Sequence, residues 1–386
     1  MRIFVLGAGA TGSLIAQLLA RAGHRVACGD RDPERARRFL GKHSPIPVAR
    51  VNARNLWSIV RAARGCHLLV NAAPTVLNKT VLRATLRLRA HYLDTASHQT
   101  DSPFQAEQLR FDARFRAKRR AAVINAGAAP GLTNLLAARA AELLEELEAV
   151  HIRLYESTGA DEPVSQWSSD SAFDEAVSRP ALYRNGRYRL GRRFGEREMF
   201  RFPAPIGRVR VMLAAQDEVA TLPRFLRMRE MDVKIGGSDF ERLRRWYRQG
   251  RLRRSHGPAP HRFPQTPTPR RVARLLAQGV LSDARFVAAV TARGWRRGER
   301  FEIRWDVLFP SLHQICRRGV YASPIAWATA RLAVLFVKHF PRERPGVHPP
   351  EALPAKIRQA VLAGARAAGI RVVRRVQRLE PPPEDE

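Results

Sequence analysis

Short apolar runs alternate with stretches of helical periodicity along the first third of the chain. Residues 2–6 (RIFVL) are a short apolar run, and apolar residues at helical spacing follow over 11–22. A second strand is predicted at 25–29. A helix is predicted at 33–40, with Asp32 as its N-cap and Pro33 as its first residue. Strands at 46–51 and 67–70 flank a helix over 55–63. A helix at 81–90 leads to a strand at 91–94, and a polar helix at 104–119 precedes a strand at 121–125. Six strands separated by helices predict an α/β domain built on a doubly wound parallel sheet.

The texture changes after Gly131. A helix over 132–146 gives way to short strand signals at 151–155, 188–190, 208–213, 231–235 and 301–307, with Gly and Pro between them. This predicts a second, α+β domain. Residues 255–269 hold five prolines and read as a surface loop. The apolar pattern at 324–340 and the segment 356–373 read as a return to α/β structure. The last residues, EPPPEDE, predict a disordered acidic tail.

Composition adds three constraints. Apolar residues make up 45% of the chain and mean hydropathy is −0.32, as in soluble globular proteins. The longest apolar run, 325–337, is interrupted by Arg331 and is too short for a membrane span. The start leads straight into a strand, so no signal peptide is expected. Cys28, Cys66 and Cys316 lie far apart, which predicts neither a disulfide framework nor a metal site and favours a reducing cytoplasm. The net charge of +33 is spread along the chain rather than gathered in a block with an aromatic ladder. No specific nucleic-acid partner is expected, and any binding to nucleic acid should be weak and salt-dependent.

The first chemistry lies at the first strand-to-helix turn. Gly7, Gly9 and Gly12 fit G-x-G-x-x-G, with Ala10 and Thr11 opening the helix. The first glycine permits a tight turn, the second lets backbone approach a pyrophosphate, and the third lets helix and sheet pack closely. Free N–H groups at the helix start favour the phosphates. Asp30 closes the second strand, where a carboxylate accepts from a ribose 2′-OH. This makes the domain Rossmann-type, with NAD or NADP as cofactor. Asp30 favours NAD and the neighbouring Arg31 favours NADP, and both alternatives stay open.

Ligands in such sheets bind beyond the strand C-termini. The residues expected there are Asn71, Ala72 and Ala73 after the fourth strand, Asp94, Thr95, Ser97 and His98 after the fifth, and Asn125, Ala126 and Gly127 after the sixth. His98 is a candidate acid–base group, since its unperturbed pKa lies near neutrality, and Asp94 is a candidate catalytic carboxylate. A loop histidine and a structural carboxylate fit the same sequence. Arg224 and Lys234 are candidates to neutralise substrate carboxylates, with a solvated basic surface as the alternative.

The segments VLGAGATG (5–12), LLVNAAPTVLNKTVLRA (68–84), HYLDTAS (91–97), INAGAAPGLTNLLA (124–137), VATLPRF (219–225), MDVKIGG (231–237), LFPSL (308–312) and PGVHPPEAL (345–353) resemble the saccharopine dehydrogenase family, in the branch of saccharopine reductases and carboxynorspermidine synthases. The resemblance implies a dinucleotide domain at 1–130, an inserted substrate and dimerisation domain at 131–320, and a C-terminal return to the first domain at 321–378, before a tail at 379–386. It implies a homodimer. It also implies an oxidoreductase acting on CH–NH donors, which reduces an imine or carbonyl of an amino-acid-like small molecule or oxidises its C–N bond. It adds Thr75 and Asn78 to the substrate side and Asn52 to the cofactor side. The chain departs from the family where C-G-x-D-P-G is replaced by residues 126–131, so that Ala126 and Ala129 stand for the Cys and Asp. Asn78 stands for a histidine and Asn52 for an acidic residue. These departures predict a less polar cleft. They keep open a reductase of a lipid-like or other carbonyl substrate, and a non-catalytic dinucleotide-binding protein.

Overall fold

The computed structural model describes residues 1–98, 103–252 and 263–380. The first sheet arises as the periodicity predicts. Its elements are β1 (Arg2–Leu6), α1 (Ala10–Arg21), β2 (Arg25–Asp30), α2 (Pro33–Leu40), β3 (Val48–Arg50), α3 (Leu56–Ala62), β4 (Leu68–Asn71), α4 (Asn78–Leu88), β5 (His91–Asp94), α5 (Asp112–Ala117) and β6 (Ala121–Val123). Asp32 caps α2 by accepting from the Arg35 N–H at 3.0 Å, and Asn55 caps α3. The strands pair in parallel in the order β3-β2-β1-β4-β5-β6, so the order reverses between β1 and β4. Helices cover both faces, which is why β1 and β4 are buried almost throughout.

One element differs from its expectation inside this domain. The helix expected over 104–119 is a 3₁₀ turn at Glu107–Phe111 followed by the short α5. The tighter winding turns the adjacent Glu107 and Gln108 both inward, and both are buried and hydrogen-bonded beneath the strand ends.

The second domain follows α6 (Leu132–Ala141). Its elements are β7 (Glu146–Ala160), α7 (Ser169–Val177), β8 (Ala181–Arg184), β9 (Arg187–Leu190), β10 (Glu198–Phe202), β11 (Gly207–Leu213), α8 (Glu218–Phe225), β12 (Glu230–Gly236), α9 (Ser238–Arg248), α10 (Pro269–Ala277), β13 (Leu281–Arg296), β14 (Glu299–Leu308) and α11 (Leu312–Cys316). The chain closes with α12 (Pro324–Lys338), β15 (Gly346–His348), α13 (Ala355–Ala367) and β16 (Arg371–Arg378). The second sheet is mixed and runs β10-β11-β12-β7-β13-β14-β16, with β8 and β9 branching from β12. Its β7 extends well beyond the expected 151–155, because β13 pairs antiparallel along its whole length.

The C-terminal return is divided between the two sheets. α12 packs along α1, and β15 adds a seventh parallel strand beside β6. β16 pairs with β14 in the second sheet, so 321–378 does not return as one piece to the first domain. Of the expected acidic tail only 379–380 are described, and residues 253–262 of the proline-rich loop also lie outside the described residues. Among the described residues no helix is long and apolar enough to cross a membrane.

One apolar core runs through both domains. Ile15 and Leu19 of α1, Leu132 and Leu136 of α6, and Trp327, Leu332 and Phe336 of α12 are all buried in it. Leu332→Ala should lower unfolding stability by about 2–5 kcal/mol, through lost transfer energy and a residual cavity. Val376→Ala, on the half-exposed β16, should change it by less than about 0.5 kcal/mol. Urea unfolding of the two variants checks this, and equal losses would contradict the placement of α12 in the core.

Candidate dinucleotide and substrate site

Each glycine at the β1–α1 turn has a distinct job. Gly7 has φ +89°, and a Cβ there would stand 2.7 Å from the Ala72 backbone. A Cβ on Gly12 would meet the Gly7 carbonyl oxygen at 1.8 Å. Gly9 faces open space, with nothing within 4 Å of an added Cβ. The loop is therefore closed on the sheet side and open at Gly9, at the N-terminus of α1. A pyrophosphate fits that place, where free N–H groups and the helix dipole favour negative charge.

Asp30 holds the loop from the side. Its carboxylate accepts from Ala8 N–H at 2.8 Å and from Asp32 N–H at 3.0 Å. Both oxygens keep a second lone pair for a ribose hydroxyl. Arg31 is exposed beside it, and Arg50, opposite Asp30 in β3, donates to the Arg31 carbonyl. A carboxylate and two guanidinium-bearing residues thus meet at the ends of β2 and β3. Asn52 is exposed at the end of β3, where its side chain accepts from Arg54 N–H.

Below the loops after β4, β5 and β6 lies a buried polar network. Asp94 accepts at Oδ1 from Asn125 N–H (2.8 Å) and at Oδ2 from the Tyr92 hydroxyl and Gln108 Nε2 (both 2.9 Å). Asn71 donates to Asn78 and Tyr92, and Asn78 donates to Glu107 and the Ala96 carbonyl. Burial pushes the Asp94 carboxyl up to about 7 against these donors, and burial also raises Glu107. Asp94 is 1% exposed and saturated with protein donors, so it positions the loops rather than touching substrate. Asn78 is likewise enclosed and structural, while Thr75 stays partly exposed at the β4 loop with Ala72 and Ala73. Thr95 lies partly exposed after β5, and its carbonyl stands 3.2 Å from where a Gly127 Cβ would be. Ala126, beside it, is fully buried. The Asn125 side chain accepts from the Ser97 hydroxyl at 2.8 Å, while its buried Nδ2 has no hydrogen-bond partner. An orphaned amide and an open glycine at the same sheet edge fit a bound dinucleotide.

The second domain and the turn after β15 close over this edge with acidic residues. Asp217 accepts from Ser97 N–H at 2.9 Å. Asp174 of α7 lies 3.1 Å from His98 Nδ1, and the His98 N–H is held by Glu107. Glu218 accepts from the Thr133 hydroxyl at 2.7 Å, and Glu351 accepts from Asn134 at 3.0 Å. Burial lifts Glu218 and Glu351 to about 7. Glu156 rises to about 8 through burial and then Asp239. Glu175 is pushed well above the carboxylate range by burial, then by Glu156, Asp217 and Glu218. Glu107, Asp174, Glu175, Asp217, Glu218 and Glu351 were missed at the sequence level. Glu351 lay inside, and Glu218 beside, segments that carried the family resemblance, which was the available signal.

The basic candidates divide. Lys234 donates to Glu198 at 2.9 Å in a cluster with Arg153 and Asp232 on the second sheet, so it serves an internal ion pair and not the cleft. Arg224 remains exposed at the edge, donating to the Phe104 carbonyl and lying over the Tyr188 ring at 5.5 Å.

Residues 3–123 match a family model described as the saccharopine dehydrogenase NADP binding domain. No curated protein matches the sequence. Among solved structures, apo saccharopine dehydrogenase (L-Glu forming) from Saccharomyces cerevisiae superposes with a TM-score of 0.71 at 12% identity, over 97% of this chain and 99% of that chain. GenD2 from gentamicin A biosynthesis, solved with NAD, aligns over 99% of this chain and 97% of that chain at 12% identity, but its TM-score of 0.40 carries no argument. Over residues 3–123 the family model bears out the resemblance and NAD or NADP as the cofactor, and together with the fold match it supports an NAD(P)-dependent oxidoreductase of unspecified substrate. The yeast enzyme bears out the fold.

Two outcomes follow from this geometry. Gly9→Val should remove NADH and NADPH binding in calorimetry yet leave the unfolding midpoint nearly unchanged, whereas Gly12→Val should lower the midpoint itself. Wild-type affinity in Gly9→Val would contradict the site. The second outcome concerns pH. Carboxyls raised to about 7 or 8 bind protons in the native state that unfolded carboxyls have released above about pH 4–5. Their contribution to stability is full below that range and is lost as pH rises through the folded pKa values. Glu218→Gln should therefore lose less stability than wild type between about pH 5 and pH 8 in urea unfolding. An equal loss in both proteins would contradict the raised Glu218 carboxyl.

Proposed function

We propose that the protein transfers hydride between a nicotinamide dinucleotide and the carbon of a C–N bond, reducing an imine formed from an amine and a carbonyl compound or running the reverse oxidation. The observation that carries this reading is the group of buried carboxylates, Glu175, Asp217 and Glu218, set against the loops after β5 and β6. An iminium ion and a protonated amine are cations. Glu175 and Glu218, held above the ordinary carboxylate pKa by burial, ionise when a cation arrives, so the site gains attraction as it binds. A neutral ketone gains nothing comparable from the same groups.

A bound reduced nicotinamide supplies the hydride. The chain supplies the rest. Backbone at Gly9 and the start of α1 hold the phosphates, and the Asn125 amide lies free for a polar group of the cofactor or substrate. His98, oriented by Asp174, is suited to hold the proton exchanged with the nitrogen or oxygen of the substrate. Asp94 fixes the loop that carries His98. Arg224, at the edge, is suited to pair with a substrate carboxylate, which makes an amino-acid-like molecule the fitting substrate class. The free thiols Cys28, Cys66 and Cys316 support a cytoplasmic setting.

The test is a panel of amines and 2-oxo acids with NADH or NADPH, followed by cofactor absorbance. Oxidation should require both the amine and the oxo acid. His98→Ala should slow turnover by about 10²–10⁴-fold while leaving dinucleotide affinity unchanged. A rate that does not depend on the amine would replace this reading with a carbonyl reductase.

A further inference from the structure

A cavity of about 480 Å³ lies apart from the loops after β4, β5 and β6, and no described residue of those loops lines it. It runs between one face of α1, the C-terminal end of α2, α12 and the second domain. Its volume falls in the range of small-molecule sites. Leu14, Leu18, Val272, Leu281, Leu312 and Trp327 contribute apolar walls. The wall along α1 extends from Ala10 to Arg21, which at the helical rise is about 16 Å. The shape is a long apolar trough.

The charged residues of this lining have one sign. Arg21, Arg37, Arg38, Lys42, Arg270 and Arg331 border the cavity, and among the described residues neither Asp nor Glu lines it. Among the described residues none of these six makes an ion pair within the chain. Elsewhere the protein pairs its buried guanidinium groups, as Arg153 pairs with Asp232. Arg331 is the clearest exception. It leans over the Trp327 ring at 5.5 Å, and its buried Nε has no hydrogen-bond partner. Burial lowers its pKa, and the nearby Arg318 and Arg21 lower it further. Arg331 is partly buried with an unbonded Nε, so its guanidinium is costly until an anion completes it, while the exposed Arg21, Arg37, Arg38, Lys42 and Arg270 make the rim positive.

We propose that this cavity binds a long-chain acyl anion, with its hydrocarbon chain along α1 and its carboxylate among Arg21, Arg331 and their neighbours. The chain would bury apolar surface against Leu14, Leu18 and Trp327, and the head group would supply the missing charge. Among the described residues its walls share none of the loops that carry His98 and Asn125, and it meets the proposed dinucleotide site only at Ala10, the first residue of α1.

The test uses cis-parinarate below its micellar concentration with the full-length protein. Saturable fluorescence enhancement is expected, with displacement by oleate and not by oleyl alcohol. Leu18→Trp, which fills the trough, should abolish binding while NADPH affinity stays unchanged. Arg21→Gln combined with Arg331→Gln should weaken parinarate by about tenfold or more. Equal competition by the alcohol would overturn the anion recognition. Displacement by NADPH would make the cavity part of the dinucleotide site and overturn the proposal. Binding only to anionic phospholipid vesicles, without a response to monomeric oleate, would overturn it as well. No arm measures turnover, so failure here is distinct from failure of the reductase reading.

Discussion

The working edge of the parallel sheet depends on one buried carboxylate. Asp94 ends β5 and binds three groups at once: the Asn125 N–H after β6, the Tyr92 hydroxyl on its own strand, and Gln108 from the 3₁₀ turn. Loops at a strand terminus have lost their ladder partners, so their polar groups must be satisfied in some other way. Asp94 and the adjoining Asn71–Asn78–Glu107 chain do this below the surface, which leaves Gly9 open and the buried Asn125 amide unpartnered at the strand ends. The burial that raises the Asp94 carboxyl is the cost of this arrangement. Its donors keep that cost bounded.

The second domain completes the edge with the opposite charge from the one the composition advertises. The whole chain carries a net charge of +33, yet Asp174, Glu175, Asp217 and Glu218 gather over the strand ends. Several arginines are spent elsewhere. Arg153 and Arg184, with Lys234, neutralise Asp232 and Glu198 on the second sheet, where the Asp232 carboxyl is held far below the usual range by His151, Arg153 and Arg184 despite its burial. Others border the apolar trough along α1. Net charge therefore says little about any one site in this protein, because the two signs are sorted by the fold.

The sequence by itself determined the elements whose causes are local. The apolar period gave β1, β2, β5 and α2 their bounds to within a residue, and Asp32 and Pro33 fixed the start of α2. The glycine spacing marked the tight β1–α1 turn, because the steric demands on Gly7 and Gly12 come from a turn a few residues long and the strand beside it. The place of Asp30 at the end of β2 was legible for the same reason. The tertiary structure alone decided the rest. Thr133 and Glu218 are 85 residues apart, and Asn134 and Glu351 are 217 apart, so no spacing rule could pair them. Lys234 looked like a substrate cation until the sheet placed Glu198 against it. The C-terminal strand, expected to return to the first domain, joined the second sheet because β14 offered it an edge. Periodicity reports which face of an element is apolar. Only packing decides which distant carboxylate that face is buried beside, and a carboxylate's chemistry is set by those neighbours.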